Sequence, residues 1–216
     1  MSQDQLPANP GDGLGHLPLL GALSRWDSAV DGFFEAHLRG KRALDVVMYA
    51  ASAAGDHSMV WLALAGVEGW RAGQAGRAML RAGAALSAES VLVNGLVKLA
   101  FRRGRPDSTR PRPLPLRIPR TSSFPSGHAS AAFFAAALLR DGAPAPLVYL
   151  AAVTVASSRV HVGMHHASDV IAGAAVGAAL GELTRHLFPV LPHASPTAAT
   201  VACPAGQEQS PPARRL

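Results

Sequence analysis

The chain concentrates its chemically capable side chains in residues 158–169, which read Ser-Arg-Val-His-Val-Gly-Met-His-His-Ala-Ser-Asp. Apolar runs flank the stretch on both sides, and polar groups packed into such surroundings cost free energy unless they are paired or used. His165 and Asp169 are four residues apart. On a helical turn they share a face, where the carboxylate fixes the imidazole tautomer and stabilises its cation. An imidazole nitrogen so held is a competent phosphoryl acceptor, giving a phosphohistidine that water later cleaves. Arg159 adds a guanidinium for the charge on the phosphoryl oxygens in the transition state. A simpler reading stands beside this one: Asp169 or Ser168 caps the helix that follows.

Two upstream segments offer matching groups. Lys98-Leu-Ala-Phe-Arg-Arg-Gly-Arg105-Pro106 places a lysine and an arginine seven apart at a predicted helix end. The lysine is a compact charge and the arginine a planar fork for two phosphate oxygens. A basic membrane flank is the competing reading, but Lys41 and Lys98 are the only lysines in a chain that otherwise uses arginine. In Pro125-Ser126-Gly127-His128, Ser126 is a natural N-cap and Gly127 leaves the backbone N–H groups open to an anion at the positive end of a helix. His128 is then placed to act as a general acid near neutral pH.

These segments need helices to carry them. Apolar residues at helical spacing predict one or two amphipathic helices over 26–54. Further helices are predicted from about 58 to 70, 78 to 101, 129 to 139, 146 to 158 and 170 to 187. Gly55-Asp56-His57-Ser58 reads as a break followed by a helix cap, with Asp56 and His57 assigned to capping and solvation rather than catalysis. Residues 104–125, with six prolines and five arginines, read as a long loop. Such length in a compact domain points to use. If five helices cross alternately, Lys98, Ser126, Arg159 and His165 fall on one face.

The expected organisation is a loose arm over 1–25, a helical domain over 26–188 and a disordered tail over 189–216. Within it, small residues such as Ala172, Gly173, Ala174 and Gly177 let helices approach closely in lipid. Most charge-free runs fall short of the ~18 residues a span usually needs; only 142–158 comes close. The fold class expected is all-α: a membrane-embedded bundle of about five or six helices with an N-terminal amphipathic segment.

Composition narrows the function. Charged residues are 16% and hydrophobic residues 49%, which excludes disorder of the whole chain. The net charge of +6 suits anionic membranes or phosphorylated substrates. Nucleic acid is disfavoured, because the arginines are scattered among apolar runs rather than gathered on a solvated face. Cys203 is the only cysteine, so no internal disulfide forms. No cleavable signal segment is read at the N-terminus.

Together, Lys98 with Arg105-Pro106, Pro125-Ser126-Gly127-His128, and Ser158-Arg159 with His165 and Asp169 resemble the three-part signature of the type 2 phosphatidic acid phosphatase superfamily. The resemblance covers about residues 55–187. It implies metal-independent hydrolysis of a phosphate ester or anhydride, with no cofactor and a phosphorylated lipid as substrate. His165 would be the nucleophile, Asp169 its partner and His128 the leaving-group acid. Lys98, Arg105, Ser126, Gly127 and Arg159 would surround the phosphate, and His161 and His166 would be bystanders. The compact length and the Gly-Asp-His opening look most like small bacterial members acting on polyprenyl lipids.

Two rival chemistries follow. His161, His165 and Asp169 are successively four apart and could ligate one metal ion, although Gly163 weakens the helix this needs. A vanadate-dependent haloperoxidase would use the same anion pocket. The basic residues on the motif face nominate a cytoplasmic site, whereas the resemblance favours the extracytoplasmic side, and the orientation stays open.

Overall fold

The computed structural model describes residues 18–106 and 121–188. Every regular element among them is helical: α1 Pro18–His37, α2 Arg42–Ala54, a short turn at Asp56–Ser58, α3 Met59–Arg71, α4 Ala75–Ala100, α5 Gly127–Leu139, α6 Ala145–His161 and α7 Ala167–Leu187. Within α4, Val91–Val97 winds as a wider π-helix. Helix α1 begins at Pro18, so residues 18–25 belong to it and not to the loose arm expected over 1–25. The Arg/Pro-rich loop is described at 101–106 and 121–125, and its middle, like the arm over 1–17 and the tail, lies outside the described residues.

Helix α5 is the axis of the bundle. All of its residues except His128 and Phe133 are buried. Trp61, Leu86, Phe134, Leu138, Leu139 and Val148 pack with small alanines from α3, α4, α5 and α6 into the main core. The closest approach is between α5 and α7. A Cβ on Gly181 would stand 2.6 Å from the Phe134 carbonyl oxygen, and Cβ atoms on Gly173 and Gly177 would come closer still to the carbonyls of Ser126 and Ser130. Glycine every fourth residue on one face of α7 thus lets two backbones touch, as small-residue seams do in lipid.

The outer helices are apolar outward and polar inward. Helix α1 buries Asp27 while leaving Leu19 82% exposed. Helix α2 buries Asp45 and Ser52 but exposes Val46 and Val47, and α4 buries Glu89 while Leu99 is 79% exposed. Water does not favour that arrangement and hydrocarbon does. Among the described residues, the helices long and apolar enough to cross a membrane by length and composition are α4 and α7, rather than the charge-free run at 142–158.

Replacing Gly177 with alanine is expected to cost about 1–3 kcal/mol by overpacking against α5. Thermal unfolding in detergent checks it: the midpoint should fall for Gly177→Ala and hold for Ala179→Leu at an exposed position of the same helix.

Candidate active site

Backbone hydrogen bonds stitch the three segments together. The Ser126 N–H donates to the Asp169 carbonyl at 3.0 Å, fixing the start of α5 against the start of α7. The Ser123 N–H donates to the Arg103 carbonyl at 3.0 Å, and the Ser123 hydroxyl donates to the Gly104 carbonyl at 2.8 Å. Beyond α6 the chain turns at Gly163, whose φ of +66° an L side chain would resist. The turn folds the Met164 and His165 amides back to donate to the Arg159 carbonyl, at 3.0 and 3.2 Å. His165 therefore lies in the loop just before α7, not on a helical turn with Asp169.

The His165 ring bridges two environments. Its Nδ1 faces the Asp169 carboxylate at 3.7 Å, and its Nε2 faces an Arg105 N–H at 3.4 Å. Arg105 also donates to the Met164 carbonyl at 2.8 Å. Of these contacts that to Asp169 is too long for a hydrogen bond, because the carboxylate has nearer partners. Asp169 Oδ1 accepts from Arg103 at 2.6 Å, and Oδ2 accepts from the His166 backbone N–H at 3.0 Å with the His166 ring at 3.3 Å. Asp169 thus also caps α7. His166 completes that cap.

Arg103 reaches further. Its second amino group donates at 2.6 Å to Asp27, which in turn accepts from the backbone and hydroxyl of Ser168 at 2.9 and 2.6 Å. A fully buried carboxylate pair shares one guanidinium, and α1 is fastened to the N-terminus of α7 through it.

These groups border a cavity of about 490 Å³. Lys98, Arg105, Gly127, His128, Arg159 and His165 line it, joined by Gly55, His57, Ser58, Glu89, Ser90 and Asn94. Arg159 is anchored by donating to the Ser52 hydroxyl. Ser126 is absent from the lining: it is wholly buried, and its hydroxyl accepts from the Ala129 N–H as the cap of α5. Asp169 is likewise fully buried behind His165.

Asp56 departs from its expected capping role. Its Oδ1 accepts from His128 Nε2 at 2.8 Å, across 72 residues, and Ser58 makes no side-chain cap to α3. His57 and Ser58 both take positive φ, 53° and 58°, in the left-handed region. Strain of this kind collects at functional sites, and no signal short of the fold shows that this turn meets the start of α5.

Residues 78–191 match the PAP2 superfamily. A decaprenylphosphoryl-5-phosphoribose phosphatase of Mycobacterium tuberculosis is 35% identical over 130 residues, which are 60% of this chain and 72% of that protein. The chain belongs to the PAP2 superfamily, and it is a phosphatase. A lipid A 1-phosphatase of Porphyromonas gingivalis is 42% identical over 101 residues, 43% of this chain but 20% of that longer protein. The fold is that of a transmembrane PAP2-type phosphatidylglycerolphosphate phosphatase from Bacillus subtilis, at a TM-score of 0.59 and 24% identity, covering 81% of this chain and 88% of that one.

The metal reading of this PAP2 site meets a geometric obstacle. His161 turns away to Asp45, with its Nε2 2.8 Å from the carboxylate, so it does not converge with His165 and Asp169. Among the described residues no three His, Cys, Asp or Glu side chains group as a metal site would require.

Burial depresses the His165 pKa to about 4, and the neighbouring Arg159, Arg105 and Lys98 push the same way against the pull of Asp169. The ring is neutral at pH 7 and becomes cationic only as pH falls through that value. Imidazole nitrogen-15 resonances of the substrate-free protein, assigned with a His165→Asn variant, should show this midpoint near 4. A midpoint near 6.5, the value of an unperturbed histidine, would contradict it.

Proposed function

We propose that this protein is a multi-pass membrane phosphatase that removes phosphate from a polyprenyl lipid or glycerolipid, as a monoester or the end group of a diphosphate. The observation that carries the reading is the His165 ring, with its Nε2 3.4 Å from the Arg105 guanidinium, on the wall of a cavity that Lys98, Arg105 and Arg159 also line.

In the first step Nε2 attacks phosphorus and the bond to the leaving oxygen breaks. His128 supplies the proton that oxygen needs. With Nε2–H of His128 held by Asp56, Nδ1 is the nitrogen left to donate; burial and Arg159 lower the pKa of this histidine to about 4 against the pull of Asp56, so the negative charge of the bound phosphate is what restores the proton it donates. Asp169 supports the positive charge that develops on His165. Lys98, Arg105, Arg159 and the Gly127 backbone at the N-terminus of α5 hold the phosphoryl oxygens. Water then attacks the phosphohistidine, giving its proton to His128 and releasing inorganic phosphate with both histidines restored. The names of the relatives support a lipid phosphate as substrate. The site would face the extracytoplasmic side, its arginines being retained for the phosphate rather than for topology.

Phosphate release by purified protein in detergent tests the proposal with phosphatidic acid, phosphatidylglycerol phosphate, undecaprenyl diphosphate and a phosphoribosyl polyprenyl phosphate. At least one should be hydrolysed, with inhibition by vanadate and indifference to EDTA. His165→Ala should lose about 10³-fold or more of kcat while remaining folded. Undiminished turnover by that variant would overturn the proposal.

A further inference from the structure

The roles just assigned use only part of the cavity wall. Helix α4 contributes Glu89, Ser90 and Asn94 as well as Lys98. Glu89 is 3% exposed: one carboxylate oxygen accepts from the Ser130 hydroxyl, while the other, Oε2, is buried without a hydrogen-bond partner. A buried carboxyl oxygen left without a hydrogen-bond partner is costly. It is tolerable where a ligand completes it.

The wall around it is polar. The Asn94 amide donates to the Ser90 hydroxyl at 3.2 Å, and a Cβ on Gly127 would collide with Asn94, so this side chain is packed directly against the start of α5. The π-helical winding begins immediately after Ser90 and includes Asn94, and such windings recur at functional sites. A volume of about 490 Å³ lies in the range of pockets that take a whole small molecule, about 300–1,000 Å³. A bare phosphate does not need it.

We propose that Glu89, Ser90 and Asn94 form a hydroxyl-binding subsite, which selects lipid phosphates whose scissile phosphate is carried by a sugar-like headgroup. The inference rests on the phosphatase reading above. A headgroup hydroxyl donates to Glu89 Oε2, and its neighbours exchange hydrogen bonds with Ser90 and Asn94. A phosphate borne directly by a hydrocarbon chain would instead press methylene groups against Glu89 and leave the carboxylate unpaired. Sites built for a hydroxyl discriminate strongly against analogues lacking it.

The test compares two substrates with the same short prenyl chain: a prenyl phosphoryl-pentose 5-phosphate and the prenyl monophosphate. Phosphate release by the full chain in detergent gives kcat/KM for each. The wild-type ratio should favour the pentose substrate by about tenfold or more, and Glu89→Gln should lower that ratio about tenfold. Asn94→Ala, which leaves the Glu89–Ser130 contact in place, should lower it in the same direction and serves if the Glu89 variant fails to fold. A wild-type ratio near one, or a ratio unchanged in the folded variants, overturns the subsite but leaves the phosphatase reading standing. Release from neither substrate, nor from any lipid phosphate of the wider panel, overturns both.

Discussion

The contact on which the structure depends is the seam between α5 and α7. Gly173, Gly177 and Gly181 remove the side chains that would hold these helices apart. The backbones then approach until Ser126 N–H can donate to the Asp169 carbonyl. That bond places the open end of α5, with Gly127 and His128, beside the residues that precede α7. A seam one methyl group wider would separate the proposed acid from the proposed nucleophile.

Electrostatics sets the second constraint. Three cations converge on one cavity inside an apolar bundle, and this is affordable only where an anion is to be bound and where carboxylates stand behind. Asp169 fills that second place, but it is shared: Arg103 and the α7 cap hold its oxygens nearer than His165 does. Asp27 keeps Arg103 in position from α1. The N-terminal helix is therefore a working part of the site, joined to it by an ion-pair network and not only by apolar packing. Exposed apolar side chains on α1, α2 and α4, with acids turned inward, fit the same economy in lipid.

Much of this was legible in the sequence. Alternating apolar runs and small residues located the helices, and the spacing of Lys98, Arg105, His128, Arg159 and His165 marked the groups that meet at the cavity. Ser126 caps α5 as its place before the helix signals, and its burial keeps its side chain off the cavity wall, which only the fold reveals. The roles of Asp27, Glu89 and Arg103 escaped, and Asp56 reads as a cap, because their partners lie far along the chain. Asp27 meets Ser168 across 141 residues and Arg103 meets Asp169 across 66. Local patterns carry no record of such pairings. The available hint was chemical: an acid within an apolar helix destined for lipid demands a partner.

In the proposed reaction the phosphoryl group rests on His165 between substrate and water. The most direct measurement is an alkaline quench of the purified protein during turnover of a substrate labelled in its terminal phosphate, followed by peptide mass spectrometry, since phosphohistidine survives base. A labelled phosphoryl group should be found on the peptide bearing His165 and be absent from His165→Ala. Continued phosphate release with no phosphoryl group on His165 would contradict it.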